Sequence, residues 1–474
     1  MIDGLRPYPE MRPSGLAWLG DVPAHWDVRR IGRLFGARRD TGFPELPILE
    51  VSIRSGVRIR DFDEGGRKQE MADRSKYQRA MRGDIAYNMM RMWQGAVGIA
   101  PTDGLVSPAY VVARPFPETD AAYYAYLFRT TTYMREIDVF SRGIVPDRNR
   151  LYWESFKQMP SVYPPLDEQR LIVRFLDWHG AQTAKLIRAK KKLIALLNEQ
   201  KQAIIHRAVT RGLDPNVELK PSGIPWLGDV PEGWEVKRLR SISRNITSGS
   251  RGWSRYSSDH GPLFVRIANL SRTGLHLRFD DVVRLALPVS ELGEAARTRA
   301  TAGDLLLSIT AFIGSVAIVP DDIGDAYVSQ HVACCRLVSE VNPRWIGYVL
   351  LSPVGQAHGT LSMYGGTKQG LSLEDVKNYV VLLPPREIQN DVTDWIDKAT
   401  RQISNSISVV EREIALIQEF RARLIADVVT GKLDVRAMAA SLPETIELEP
   451  IDEPTDDEDL DETVDDPENE EVAA

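Results

Sequence analysis

Cysteine is nearly absent from this 474-residue chain. Its two cysteines, Cys334 and Cys335, are adjacent in the alternating run YVSQHVACCRLV. Neighbouring cysteines rarely bridge, and no second pair or histidine cluster completes a zinc site, so a disulfide scaffold and a structural zinc are both excluded. The pair is read as buried thiols in a reducing compartment. Long apolar runs are also missing: none approaches 18 residues, and Met1 to Gly20 has no apolar core of signal-peptide type, so no membrane span is expected and a cytoplasmic location is. The seven histidines are scattered, none paired at i, i+4 beside a carboxylate, and there is neither a nucleophile elbow nor a phosphate loop. A methyltransferase would need a glycine-rich cofactor loop and an Asn- or Asp-Pro-Pro-aromatic site, but the Pro-Pro pairs, Pro164-Pro165 and Pro384-Pro385, follow Tyr163 and Leu383. A nuclease would need clustered carboxylates with a lysine. Pro320-Asp321 with Asp375-Val376-Lys377 matches that only in outline, and the related stretch Ser155-Phe156-Lys157 lacks the acid. No catalytic site and no metal site are expected.

Basic charge looks scarce as well, since the formal net charge is −7, but the deficit is local. From Pro443 to Ala474 there are 16 acidic residues and no basic ones, which leaves 59 basic against 50 acidic in the rest, a net of +9. So charged and apolar-poor a tail is expected to be disordered. Within the body, Val28 to Pro160 has 22 basic and 16 acidic residues, and Val236 to Leu383 has 16 and 12. That distribution suits a protein that binds a polyanion.

What the chain has is a repeat. Ser14 to Ile31, SGLAWLGDVPAHWDVRRI, returns as Ser222 to Leu239, SGIPWLGDVPEGWEVKRL. Its Gly, Asp and Pro are turn residues, and the pairs Trp18 with Trp26 and Trp226 with Trp234 read as anchors pinning a loop to a core. Asp167 to Arg211 places Ile172, Leu176, Ile187, Ile194, Leu197, Ile204 and Ala208 on one helical stripe, and Arg386 to Thr430 repeats it with Ile388, Val392, Ile396, Ile403, Ile407, Val410, Ile414, Ile417, Leu424 and Val428. Double prolines precede both stretches, and Val-Thr followed by Leu-Asp ends both. A helix of some 45 residues runs about 66 Å, too long for one small core to cover, so each stripe needs a partner and the two are expected to pack as an antiparallel coiled coil. No third anchor segment follows Leu433-Asp434; its counterpart opens the chain, which should bring the N-terminal segment to the end of the second helix.

Between these landmarks, runs such as LPILEVSI, GLVSPAYVVARP, GPLFVRIANL and GDLLLSITAFIGSVAIVP read as strands, with a helical stretch near Ala121 to Val139 and another at Pro343 to Ala357. Gly83-Asp84 matches Gly303-Asp304, and Gly95 to Pro101 matches Gly314 to Pro320, while the rest differs heavily. The expected fold is α+β with an internal pseudo-two-fold repeat: residues 1–165 an anchor segment and first domain, 166–212 a first spacer helix, 213–384 a second anchor and domain, 385–434 a second spacer helix, and 443–474 the tail.

This ordered, duplicated combination resembles the specificity subunit of type I restriction-modification systems. The resemblance rests on SGIPWLGDVPEGWEVKRL, on Gly365 to Ser372 leading to Leu382-Leu383-Pro384-Pro385, and on Pro164 to Gln169 at the start of the first long helix, and it covers nearly the whole chain except the tail. One departure is Arg386-Glu387-Ile388-Gln389 in place of the Asp-Glu-Gln start. The resemblance implies two target recognition domains of mixed α/β structure, each reading half of a split double-stranded DNA target, held apart by two long helices that bind methyltransferase (M) subunits, with restriction (R) subunits joining through the complex. It implies a non-catalytic subunit that binds no cofactor itself, in a complex that uses S-adenosylmethionine, ATP and Mg. The rival is a coiled-coil scaffold whose two domains bind proteins; the net +6 and +4 on two divergent domains favour DNA.

Candidate DNA-binding residues lie in polar, basic loops, because arginine can hold guanine, Asn or Gln can hold adenine, and Lys mainly holds phosphate. In the first domain these are Asn88, Arg91, Trp93 and Gln94 in one loop and Arg142, Arg148, Asn149 and Arg150 in another. In the second they are Ser250, Arg251, Trp253, Arg255 and Tyr256, with Tyr364, Thr367, Lys368 and Gln369. A stiff spacer implies an unread gap of constant length. Deleting Lys185 to Lys191 and Asn405 to Glu411 keeps the stripe's register and removes about 10.5 Å, so the gap should shorten by about three base pairs, as read by sequencing methylated sites in the presence of the modification partners.

Overall fold

The computed structural model describes residues 5–60, 74–143, 149–362 and 370–443. Its contacts gather into two compact units, one of the described residues up to 189 with those from 412 onward and one of those between 190 and 411, so each unit takes one half of each long helix. Those helices span Leu166–Arg211 and Arg386–Val429. In the first unit Ile172, Phe175 and Leu176 share a core with Leu424, Val428 and Val429, and His179 lies 6.1 Å from the Phe420 ring. In the second, Ile205, Ala208 and Val209 share a core with Val392 and Ile396. Early residues of one helix meet late residues of the other in both units, so the pairing is antiparallel, as the stripes predict.

Each unit is built on a four-stranded antiparallel sheet. In the first, β1 (Phe35–Arg38), β2 (Ile85–Asn88), β3 (Val97–Ile99) and β4 (Tyr110–Pro115) lie in the order β1-β4-β2-β3. In the second, β5 (Ser243–Ser248), β6 (Leu305–Ser308), β7 (Val316–Ile318) and β8 (Val332–Leu337) lie in the order β5-β8-β6-β7. The same permutation of strands recurs, although few side chains are shared. Apolar alternation drives both: Leu305, Leu307, Ala333 and Cys335 enter one core while Leu306 and Cys334 enter another on the opposite face. Both thiols are unbridged and buried, and burial pushes the Cys335 thiol up to about 12.

The helical stretch near Ala121 proves to be two helices, Ala121–Phe128 and Thr131–Phe140, and its counterpart likewise splits into Pro343–Leu351 and Pro353–Ser362. The cause is local. Thr130 caps the second helix, its Oγ1 accepting from Tyr133 N, and at the equivalent break Ser352 precedes Pro353, which cannot continue the preceding helix.

The long helices are pinned at both ends by repeated devices. Gln169 donates from Nε2 to Pro164 O and accepts from Asp120 N, both at 2.8 Å; Gln389 does the same with Pro384 O and Asn342 N, also at 2.8 Å. Asp120 and Asn342 cap the domain helices, so one buried carboxamide ties each long helix to its domain. The departure in the second start therefore leaves the working residue in place. At the far ends Gly212 and Gly431 take left-handed conformations, φ +73° and +78°, beneath Trp234 and Trp26. The N-terminal segment joins there too, at Arg6: Asp434 N donates to Arg6 O at 2.8 Å, as the repeat order implies.

Gly431 tests this closure. A Cβ there would lie 2.4 Å from Pro23 Cδ, whereas Gly20, at φ +75°, has nothing within 4 Å. Gly20→Ala should cost only the backbone strain of about 1–2 kcal/mol, and Gly431→Ala should add about 1–3 kcal/mol for the clash, separable by urea unfolding.

Candidate nucleic-acid interface

Both units clasp strands of their sheet with a buried carboxylate. Asp84 accepts from Met81 N at 2.8 Å and takes a two-pronged contact from Arg38, Nε at 2.6 Å and a terminal nitrogen at 3.3 Å. Asp304 accepts from Thr301 N at 2.8 Å and binds Arg336 through two nitrogens at 2.9 and 2.7 Å. The carboxylates are 3% and 2% exposed, so each needs its arginine. The guanidinium comes from the first strand of one sheet and the last of the other. Arg38 and Arg336 are thereby committed to the fold, and Asp304 raises the Arg336 pKa through their hydrogen bonds.

In the first unit the two predicted loops come together. Leu151 N donates to Met89 O at 2.9 Å, joining the Asn88–Gln94 loop to the ladder in which Arg142 and Arg150 exchange backbone bonds at 3.0 and 2.9 Å. Arg91, Arg142 and Arg150 are exposed, and their side chains have no ion pair or hydrogen bond among the described residues; Gln94 is also exposed. Asn88 is half-buried and engaged locally, its Oδ1 accepting from Met90 N at 2.9 Å, and Asn149 donates to Asp138 at 3.1 Å. Trp93 is half-buried against the core, with its N–H on Met90 O. Arg148 lies outside the described residues. Beside these loops is a cavity of about 450 Å³ lined by Arg39, Lys76, Met89, Tyr110, Tyr152 and Trp153 among others. Arg39 and Tyr152 were not among the sequence candidates, although Arg38-Arg39-Asp40 is a visible basic cluster.

In the second unit the counterpart of the Asn88–Gln94 loop is Ile309 to Gly314, tied by Leu371 N to Ile309 O at 2.8 Å. Its Ala311 has φ 53°, the non-glycine left-handed residue among those described. The loop after β5 joins the same neighbourhood, since Gly249 N donates to Ser329 O at 3.1 Å. Arg251 is exposed, with no side-chain partner among the described residues. Arg255 lies over the Tyr256 ring at 4.8 Å and 3.8 Å from Glu291, which also accepts from the Tyr256 hydroxyl at 3.4 Å. Ser250 is buried, and Trp253, 1% exposed, is a core side chain with its N–H on Glu291 at 3.1 Å. An indole so placed offers no face to a base. Tyr364, Thr367, Lys368 and Gln369 lie outside the described residues. Thr310, Gln330 and His331 occupy this neighbourhood, with Thr310 Oγ1 2.9 Å from His331 Nδ1 and Gln330 Nε2 2.9 Å from His331 Nε2. Setting VSQHVAC beside VSPAYVV would have drawn attention to the Gln-His pair.

With this geometry in view, comparison with known proteins is informative. No protein-family profile matches the chain. It is 25% identical over 288 residues to the type I restriction enzyme MjaVIII specificity subunit of Methanocaldococcus jannaschii, covering 59% of this chain and 64% of that protein, just under two thirds of its length. Against the EcoKI specificity subunit of Escherichia coli K12 the figures are 26% over 366 residues, 71% of this chain and 74% of that one. The chain is a homologue of type I specificity subunits. A chain from a study of complex assembly and conformational transition of the type I R-M system shares the fold, with a TM-score of 0.54 over 86% of this homologue and 98% of that chain at 16% identity.

The burial contrast is measurable. In this homologue Trp253→Ala should cost about 3–5 kcal/mol of stability and Arg251→Ala should stay within about 0.5 kcal/mol, read as shifts in the urea midpoint.

Proposed function

We propose that this chain is the DNA sequence-recognition subunit of a type I restriction-modification complex, with each unit reading one half of a split target. The observation that carries the reading is one strand order built twice, with unlike side chains at the same loop positions. Arg91 and Gln94 in one unit are replaced by a Thr310-Ala311-Phe312 loop in the other, and Arg150 by Gly370. A scaffold that bound one kind of protein partner twice would have no need of such divergence.

Methylation and cleavage would then belong to the methyltransferase (M) and restriction (R) subunits, which would hold the S-adenosylmethionine, ATP and Mg of the complex. The long helices offer those partners apolar surface: Leu186, Leu416 and Phe420 are exposed in the first unit, and Leu193, Leu196 and Val409 in the second. Among the described residues no helix is long and apolar enough to cross a membrane.

Salt decides between DNA reading and a protein scaffold. Duplex affinity should fall linearly with salt on a logarithmic scale, with a slope of about −0.9 per neutralised phosphate; a scaffold would show no such binding. Replacing Arg251 and Arg255 with alanine should then relax one half-site, at about 1–3 kcal/mol per lost base contact, and leave the other readable. Equal weakening on every duplex would assign both arginines to phosphates.

A further inference from the structure

We infer that Gln330 is a base-reading residue of the second unit, that the base it prefers is adenine, and that His331 and Thr310 position its carboxamide. This rests on the DNA-recognition reading above.

Position is the first support. Gln330 lies between Ser329, whose carbonyl accepts from Gly249 N at 3.1 Å, and His331, whose carbonyl accepts from Ile309 N at 3.0 Å. Ile309 in turn accepts from Leu371, and Thr310 bridges Gly370. The loop carrying Arg251, the loop of Thr310 and the strand at Gly370 therefore all converge on the start of β8, where Gln330 stands half-exposed.

The hydrogen bonds supply the chemistry. A carboxamide nitrogen only donates, so with Gln330 Nε2 at 2.9 Å the Nε2 of His331 accepts, and its Nδ1 carries the proton toward Thr310 Oγ1 at 2.9 Å. In that tautomer the chain of contacts holds the glutamine by one N–H. The second N–H and the carbonyl oxygen of Gln330 make no hydrogen bond among the described residues. Together they form the donor and acceptor pair that meets adenine N7 and N6 in the major groove. A side chain already held this way loses less rotamer freedom on binding than a free one.

The third support is the contrast between units. The equivalent stretch of the first unit reads Ser107-Pro108-Ala109, which offers no side-chain donor or acceptor at the last two positions. The backbone there is built alike, with Met89 N on Ala109 O at 3.4 Å, so the fold does not require a Gln-His pair. A feature that the frame tolerates losing, placed where the reading loops meet, is what a determinant of one half-site would look like.

The test is selection by the full-length chain from a pool of duplexes with randomised positions, comparing wild type with Gln330→Ala, Gln330→Glu and His331→Ala. Wild type should select adenine at a position that Gln330→Ala no longer discriminates, a loss of about tenfold or more, with every other position unchanged. Gln330→Glu, whose carboxylate accepts but cannot donate, should turn that position toward cytosine, whose N4 donates. His331→Ala should blur the same position and no other, a readout that a merely structural role would not produce. Full retention of the wild-type pattern by both Gln330 variants overturns the inference and leaves DNA recognition standing. Uniform weakening on all duplexes also overturns it, by assigning Gln330 to phosphate. A wild-type chain that selects no sequence overturns the inference and the underlying reading together.

Discussion

A 46-residue helix has more apolar stripe than its own domain can cover, and the rest of this structure follows from that shortfall. Each half of Leu166–Arg211 is seated against a half of Arg386–Val429, and neither domain core stops at its sheet. The core around Tyr123, Phe128 and Phe156 runs on into Ile172, Phe175, Leu424 and Val428. That around Trp345, Val349 and Leu382 runs on into Ile205, Val209, Val392 and Ile396. Each unit is thus made of chain from both repeats. The proline-led starts, the Gln169 and Gln389 pins and the glycine ends under Trp26 and Trp234 are the fittings such sharing needs, and they are the parts that recur most closely.

Where the frame makes no demand, the units solve the same problem differently. Glu168 lies buried in the first unit, accepting from the Tyr8 hydroxyl at 2.6 Å and the Trp26 N–H at 3.1 Å and facing His25 at 2.7 Å. Its counterpart Ile388 is exposed and needs none of these partners. The first unit must also seat both Arg6 and Asp434, and its polar cluster, with Arg436 ion-paired to Asp434 at 2.7 Å, serves that junction.

The long helices, the antiparallel pairing and the repeat were legible in the sequence because a stripe at helical spacing, 40 or more residues long and present twice, admits few other arrangements. The split of the Ala121 stretch was legible only in retrospect, through Thr130 and Pro353. The candidate loops were harder. Trp253 carries the composition of a stacking platform, but whether an indole faces solvent or core depends on Glu291, 38 residues away, and on a strand order that local sequence does not announce. Gln330 and His331 escaped notice for the opposite reason: they stand at the head of an alternating strand and look like part of it. Asp84 and Asp304 were visible as a matched Gly-Asp turn, yet their arginine partners sit 46 residues upstream in one repeat and 32 downstream in the other.

The backbone bridge between Arg6 and Asp434 carries a topological consequence. Because the first anchor segment and the end of the second helix already meet, the fold does not depend on which covalent linkage is present at that corner. A peptide joining Asp434 to the N-terminal segment, with new ends opened at the Gly212–Leu213 corner, would keep every pinned helix start and every strand pairing. Such a circular permutant would exchange the order in which the two domains are synthesised without altering the pairings inside either one.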